Sequence, residues 1–439
     1  MKNSKNQILV RTPGFLSISL ILSIFLIAAI PSINAIAQTE DLCLGKTSKH
    51  GGIALGDKKD TKDFCHFTYK NYPFTKEHSN NFTSKILTPS LFKKMKDLET
   101  DGGYTLSNSI QSGVEDTTLK VGMSLGDEQS YVTFQEIVNP MIERWHGYDV
   151  KNGTHKTNLN CEELNFPIEL QEKFKKYVSS TRIRVARNIS GHPFPAGATP
   201  ADRKVIEDIL KNSIKDLQGT LKGKYYSLEK FLADEELMKQ GLLSKEDQAS
   251  IKNAKKFMFQ IPPVGVFLAS GAASDFPHYR GVYVSDNNEV ALWINEEDHI
   301  RIISMKEGGD LNGVINNFSS LHKAITQKLQ EVGKSYAFND KLGFLSSCCS
   351  NIGTSMRMSF WIDLPKLSAG ENMELMEKIA DKYGLQIRPQ GGEHTKNEGS
   401  VWDISNKRRL GLTEVELIQG LIDGAQELIE MEESIKSSS

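Results

Sequence analysis

From Ser180 onward the chain repeats one pattern, short segments that alternate apolar and polar residues, separated by longer runs with helical spacing. "STRIRVARN", "GVYVS", "EVALWINEED", "IRIISM" and "TSMRMSFWIDL" have the period of two that sends successive side chains to opposite faces of a strand. "ADRKVIEDILKNSIKDL" and "NGVINNFSSLHKAITQKL" have helical spacing, as does "TEVELIQGLIDGAQELIEMEE", which opens with Thr413 and Glu416 in capping-box register. Strands interleaved with helices in this way predict one sheet with helices packed on it. Upstream, from Thr88 to about Ile142, the spacing is helical only, with Thr88 a candidate N-cap and Pro89 at the first helical position. The expected fold is therefore α+β, a small all-α N-terminal domain followed by a larger domain with a mainly antiparallel sheet flanked by helices. "HGYDVKNGTHKTNLNCEELNFPIE" lacks periodicity and reads as the connection between them. The expected division is a leader over 1–37, the helical domain with the connection at its end over 38–160, and the sheet domain over 161–439.

Charge says little about partners but much about a site. The 439 residues hold 53 Lys and Arg against 55 Asp and Glu, a balance that gives no reason to expect nucleic acid. Only 12 of the basic residues are arginine, yet Arg182, Arg184, Arg187, Arg280, Arg301, Arg357 and Arg388 all fall in or beside strand-like segments. In "STRIRV" the period of two puts Arg182 and Arg184 on one face, and in "TSMRMSF" Arg357 shares its face with Ser355 and Ser359. Planar forks that are always charged suit phosphate oxygens, and a polyanion could bridge groups that otherwise repel one another. Each arginine could instead pair with a protein carboxylate. Glu296, Glu297 and Asp298 end one strand, and Glu393 lies in the Gly-rich "GGEHTKNEGS", a loop able to close over ligands and exclude water. The cysteines show no zinc-like spacing, and no metal site is expected.

At the N-terminus, Lys2, Lys5 and Arg11 precede an uncharged apolar run from Phe15 to Ile30, with "AIA" at Ala35 to Ala37. This reads first as a secretory signal peptide, with an uncleaved anchor or a mitochondrial intermembrane-space leader as alternatives. Any membrane contact is expected through this segment alone. Cys43 and Cys65 could form a disulfide in an oxidising compartment. Sequons at Asn81, Asn152, Asn188 and Asn317 permit glycosylation on the secretory route, although a glycan at Asn188 would crowd the arginine-bearing strand.

Several stretches, in order from about Tyr72 to Glu433, resemble the phosphagen kinases and look most like arginine kinases. They include "KILTPSLFKKMKD", "SIQSGVED", "GDEQSYVTF", "STRIRVARNISGHPFP", "WINEEDHIRIISMKEGGDL", "GFLSSCCSNIGTSMRMS", "GEHTKNEGS" and "DISNKRRLGLTE". The resemblance implies reversible transfer of the ATP γ-phosphoryl group to a guanidino nitrogen, with magnesium carried by the nucleotide and a monomer or homodimer as the working form. By the same resemblance Arg182, Arg184, Arg301, Arg357 and Arg388 clamp the nucleotide phosphates, and Glu297 and Glu393 grip the guanidinium. Cys348 matches the reactive cysteine, expected as a thiolate stabilised by cations and the Ser350 hydroxyl. Lys120, Val121 and Gly122 fall in the substrate-specificity loop.

This chain also departs from the family. Val284 stands where a histidine associated with the nucleotide is usual, Lys120 and Ser124 stand for glycine and tyrosine, and Cys349 stands for proline. L-arginine is the expected acceptor, because "EDTTLKVGMSLGDE" has the short length of arginine kinase loops. The alternatives are taurocyamine or another guanidino compound, a protein arginine, or a catalytically degenerate relative.

Overall fold

The computed structural model describes residues 53–54, 67–369, 372–389 and 399–435. The leader, Cys43, Cys65 and Glu393 lie outside the described residues. After a two-residue strand pair, Ile53–Ala54 with Phe67–Thr68, come five helices, α1 (Phe82–Ile86), α2 (Pro89–Met95), α3 (Leu106–Glu115), α4 (Ser130–Thr133) and α5 (Gln135–His146). Thr88 caps α2 as its sequence predicts, its Oγ1 accepting from the Leu91 amide at 3.2 Å with Pro89 in the first turn. The α5 helix stops where Gly147 takes the left-handed conformation, φ +63°, which a side chain would strain.

The region read as a connection is mostly irregular, but its end forms α6 (Ile168–Tyr177), a helix that the sequence pattern did not single out. Strand β1 (Val178–Arg187) then enters the sheet. Next come α7 (Pro200–Ile214), β2 (Gly223–Ser227), α8 (Leu228–Lys239), α9 (Lys245–Lys255) and α10 (Gly265–Ala269). The chain returns through β3 (Gly281–Ser285), β4 (Val290–Ile294) and β5 (Ile300–Glu307) to α11 (Leu311–Glu331). It closes with β6 (Met356–Asp363), α12 (Asn372–Lys382), β7 (Leu385–Pro389), β8 (Val401–Asn406) and α13 (Glu414–Ser434). The eight strands form one antiparallel sheet in the order β7-β8-β6-β1-β5-β4-β3-β2, the architecture the alternation predicted.

Alternation sorts the side chains into two layers. One face of the sheet sends Ile183, Val185, Met356, Met358 and Phe360 into a core shared with Phe318 and Leu321 of α11 and Leu421 and Leu428 of α13. A buried leucine or phenylalanine stabilises by about 1.5–3 kcal/mol, so this layer carries much of the fold's free energy. The α13 helix is started by the capping box that its sequence predicts, with the Thr413 amide on Glu416 Oε2 at 2.8 Å and the Glu416 amide on Thr413 Oγ1 at 3.2 Å. The second core joins the helical unit to residues beyond 160, among them Phe231, Phe267, Val282, Val284, Cys349 and Ile352.

Three of the four sequon asparagines are buried and use the amide nitrogen internally. Asn81 donates to the Gly113 carbonyl at 3.1 Å, Asn188 to Asp298 at 2.8 Å and Asn317 to Glu289 at 2.8 Å. Asn152 is exposed. Among the described residues no helix is long and apolar enough to cross a membrane.

Candidate active site

Strand register decides which arginines meet. Arg357 lies opposite Arg184, Ser359 opposite Arg182, and Arg301 opposite Ala186 on one side and Trp293 on the other. Arg388 lies opposite Asp403, which pairs with Trp361, which pairs with Ser180. Opposed residues share a face, so Arg182, Arg184, Arg301, Arg357 and Arg388 all project from the same side of the sheet. Arg187 and Arg280 do not join them. Arg187 falls on the opposite face by alternation, and Arg280 is bound to Asp275, at 3.3 Å, and to the carbonyls of Ala272, Ser274 and His278.

A cleft of about 680 Å³ opens on the arginine face, lined by Arg182, Arg184, Trp293, Met305 and Trp361, with Phe257 of the segment after α9 on its wall. Beside it Arg184, Arg301, Arg357 and Arg409 converge around Asn351 and Ser355. Sequence reasoning missed Arg409. It lies in an irregular loop where no period assigns a face, and its only signal was its place within "DISNKRRLGLTE".

The guanidinium groups are not equivalent. Arg357 is neutralised by Asp403, its Nη2 lying 2.8 and 2.9 Å from the two carboxylate oxygens. Arg301 bonds Glu297, holds Glu296 at 2.9 Å and has Asp298 at 3.7 Å. Arg182 and Arg184 form no ion pair among the described residues, and the buried Nε of Arg182 has no partner. Burial, and then neighbouring arginines, hold both below the ordinary arginine range, with Arg357 acting most on Arg182 and Arg301 most on Arg184. Pairing with protein carboxylates, which the sequence left open for each arginine, is thus seen on part of this face. Two of its members carry their own acids, while the central pair on β1 is left electrostatically unsatisfied and suited to an anion.

Glu297 belongs to the turn between β4 and β5, and its carboxylate bonds Arg301 rather than standing apart from the arginines. The turn is braced by Asp298, whose Oδ1 accepts from Asn188 Nδ2 and from the Ser347 amide, both at 2.8 Å. Asp298 therefore ties the acidic turn to the thiol-bearing turn. Burial raises the carboxyl groups of Glu296 and Asp298 above their usual range, against the opposing pull of Arg301.

Cys348 is buried with its sulfur 3.1 Å from Ser350 Oγ. The expected thiolate is not supported. Burial pushes the thiol up to about 11, Glu297 adds to the rise, and the Ser350 hydroxyl opposes it only in part. Sequence reasoning counted the cations but not the carboxylates folded beside the sulfur. Cys349 is fully buried, its thiol raised further by burial and by Cys348, and its carbonyl lies 2.9 Å from His146 Nε2.

The loop carrying Lys120, Val121 and Gly122 is tied down on α1. The Lys120 carbonyl accepts from the Phe82 amide at 2.8 Å and the Val121 carbonyl from Thr83 Oγ1 at 2.7 Å. Val121 is buried, Lys120 is exposed, and a Cβ on Gly122 would strike the Asn81 amide. Ser124 is buried with its hydroxyl toward Ser112, and Leu125 donates its amide to the Ser347 carbonyl at 2.7 Å. Val284 is buried on the arginine side of the sheet, two strands from Arg301. Among the described residues no group of three or more His, Cys, Asp or Glu could hold a metal ion.

Guanidinium groups line the cleft and, through Arg301, adjoin the carboxylate turn, an arrangement suited to a phosphate-bearing ligand, and comparison with known proteins agrees. Residues 77–143 match the family model of the ATP:guanido phosphotransferase N-terminal domain, and residues 205–435 that of its C-terminal catalytic domain. The M-type creatine kinase of Gallus gallus is 35% identical over 373 residues, covering 84% of this chain and 93% of that protein. A lombricine kinase crystal structure superposes with a TM-score of 0.71 at 32% identity, covering 81% of this chain and 93% of that one. The duplicated taurocyamine kinase of Schistosoma mansoni, with transition state analog components bound, gives a TM-score of 0.69 at 30% identity, over 82% of this chain and 47% of that one. The chain belongs to the ATP:guanido phosphotransferases, the phosphagen kinase family.

Proposed function

We propose that the protein transfers the γ-phosphoryl group of Mg-ATP reversibly to the guanidino group of L-arginine. The observation that carries the phosphate half is the unpaired Arg182 and Arg184 on the cleft wall. In this reading they take the nucleotide phosphates together with Arg301, Arg357 and Arg388, and Arg409 completes the ring. The buried, unpartnered Nε atoms of Arg182 and Arg409 fit such an anion. Negative charge on the migrating group is then offset by fixed cations.

The acceptor enters from the side of Glu297 and Cys348. A guanidinium, with a pKa above about 12, is a poor nucleophile until it gives up a proton. Glu297 takes that proton and Glu393 orients the group. Arg301 contacts Glu297 in the structure, so its engagement with phosphate would leave the carboxylate available to the acceptor. Cys348, as a neutral thiol, shapes the floor of the acceptor site. Alignment of the two reactants supplies most of the rate.

The choice of arginine rests on the loop around Gly122. Its span, fastened to α1 at Lys120 and Val121, is short, as the loops of arginine kinases are. Taurocyamine is the second reading, supported by the exposed Lys120 as a cation for a sulfonate end. An ATP-dependent assay over L-arginine, taurocyamine, lombricine and creatine tests the choice. Turnover is expected to be greatest with L-arginine; preference for another acceptor overturns the assignment, and turnover with none points to a degenerate relative.

A further inference from the structure

Arg187 ends β1 on the face away from the cleft. It is fully buried, with its guanidinium 3.5 Å above the Phe344 ring. Nη1 donates to the Ala186 carbonyl at 2.8 Å and the Thr354 carbonyl at 3.0 Å, while Nε and Nη2 have no partner. Glu414, which opens α13, is the acid that acts on it, and burial followed by the Arg187 charge pushes His155 down to about 4 and His322 to about 3. Taking a guanidinium out of water costs several kcal/mol, and an apolar side chain would fill the same space without that penalty. The phosphoryl transfer described above makes no use of this charge.

What Arg187 holds leads back to the site. Thr354, whose carbonyl it grips, donates its amide to the Arg409 carbonyl at 2.8 Å and its hydroxyl to the same oxygen at 3.1 Å. Arg409 Nη1 donates in turn to the Ser350 carbonyl, at 3.1 Å, and to Asn351 Oδ1. Ser350 Oγ meets the Cys348 sulfur at 3.1 Å. The path has little slack, because a Cβ on Gly353 would strike the Arg409 carbonyl and Ser355 takes a left-handed φ of +53°.

We infer that Arg187 is a positioning residue for the phosphoryl transfer. From behind the sheet it fixes the Thr354 peptide, and through that peptide it sets Arg409 and the turn that presents Cys348. The inference rests on the arginine face being the reaction site.

Two variants test it. Arg187→Lys keeps the charge but loses the planar guanidinium that holds Nη1 between the two carbonyls. It is expected to lower kcat about tenfold while the KM for ATP changes less than about twofold, since a small misplacement of reacting groups falls mainly on turnover. Alkylation of Cys348 by iodoacetamide, followed by peptide mass, is expected to rise at least about threefold as the turn loosens. Thr354→Val is close to isosteric and removes one of the two bonds to the Arg409 carbonyl; both readouts should move the same way, less far. It carries the test alone if Arg187→Lys does not fold. Wild-type kcat together with wild-type alkylation overturns the inference, whatever the melting temperature. If the wild type phosphorylates no acceptor, the failure lies with the proposed function, and the alkylation rates still report on the Arg187 path.

Discussion

Glu297 and Cys348 lie on turns joined through Asp298 but keep different neighbours. Glu297 keeps a cation beside it, whereas Cys348 has a carboxylate and a hydroxyl. With its thiol raised to about 11, Cys348 should alkylate about tenfold faster for each pH unit through pH 9, because only the thiolate reacts. A rate already flat between about pH 6 and 9 would mean a depressed thiol and contradict the burial argument. For Glu297, replacement by Gln is expected to lower kcat by about 10²–10⁴ and to change nucleotide affinity less than about twofold, measured by steady-state kinetics and titration calorimetry. A change in KM alone would remove it from the role of base. Arg301 and Ser350 are near neighbours in the chain, but the carboxylate beside the sulfur could not be read from it. Residues 297 and 348 are far apart in sequence, and only the fold puts a carboxylate near the sulfur. Motif and strand pattern singled out the two positions without the energies of their surroundings.

Among elements, strands and capped helices were the most legible. Alternation in "STRIRV" and "TSMRMSF" fixed which side chains share a face, and the observed register set the two segments beside each other. The helices between β2 and β3 were not legible. Only Leu228 and Phe231 of α8 are buried, too few to draw an apolar stripe along the helix. Arg409 was missed for a related reason, since a loop has no period. Elements of the helical unit hold the turn that carries Cys348. Tyr131 of α4 donates its hydroxyl to the buried Ser346 carbonyl at 2.7 Å. Tyr131→Phe leaves that carbonyl unpaired and is expected to cost about 1–3 kcal/mol in urea unfolding, with a fall in turnover. Unchanged stability and turnover would show that the two parts do not depend on this contact.

At the scale of the whole molecule, the sheet separates an apolar layer from a face that gathers arginines. One face is filled by apolar side chains from α11 and α13, and the other gathers arginines whose repulsion the fold tolerates. Such a face costs stability when the site is empty and recovers it with a polyanion. Arg184→Met, assayed at once for thermal unfolding and for MgADP binding by calorimetry, tests this claim most directly. The account predicts an unchanged or higher melting temperature and a dissociation constant weaker by about 10- to 100-fold, the worth of a charge-assisted hydrogen bond. Undiminished nucleotide affinity, or a fold weakened by several kcal/mol, would contradict it, because Arg184 would then serve a partner within the protein rather than phosphate.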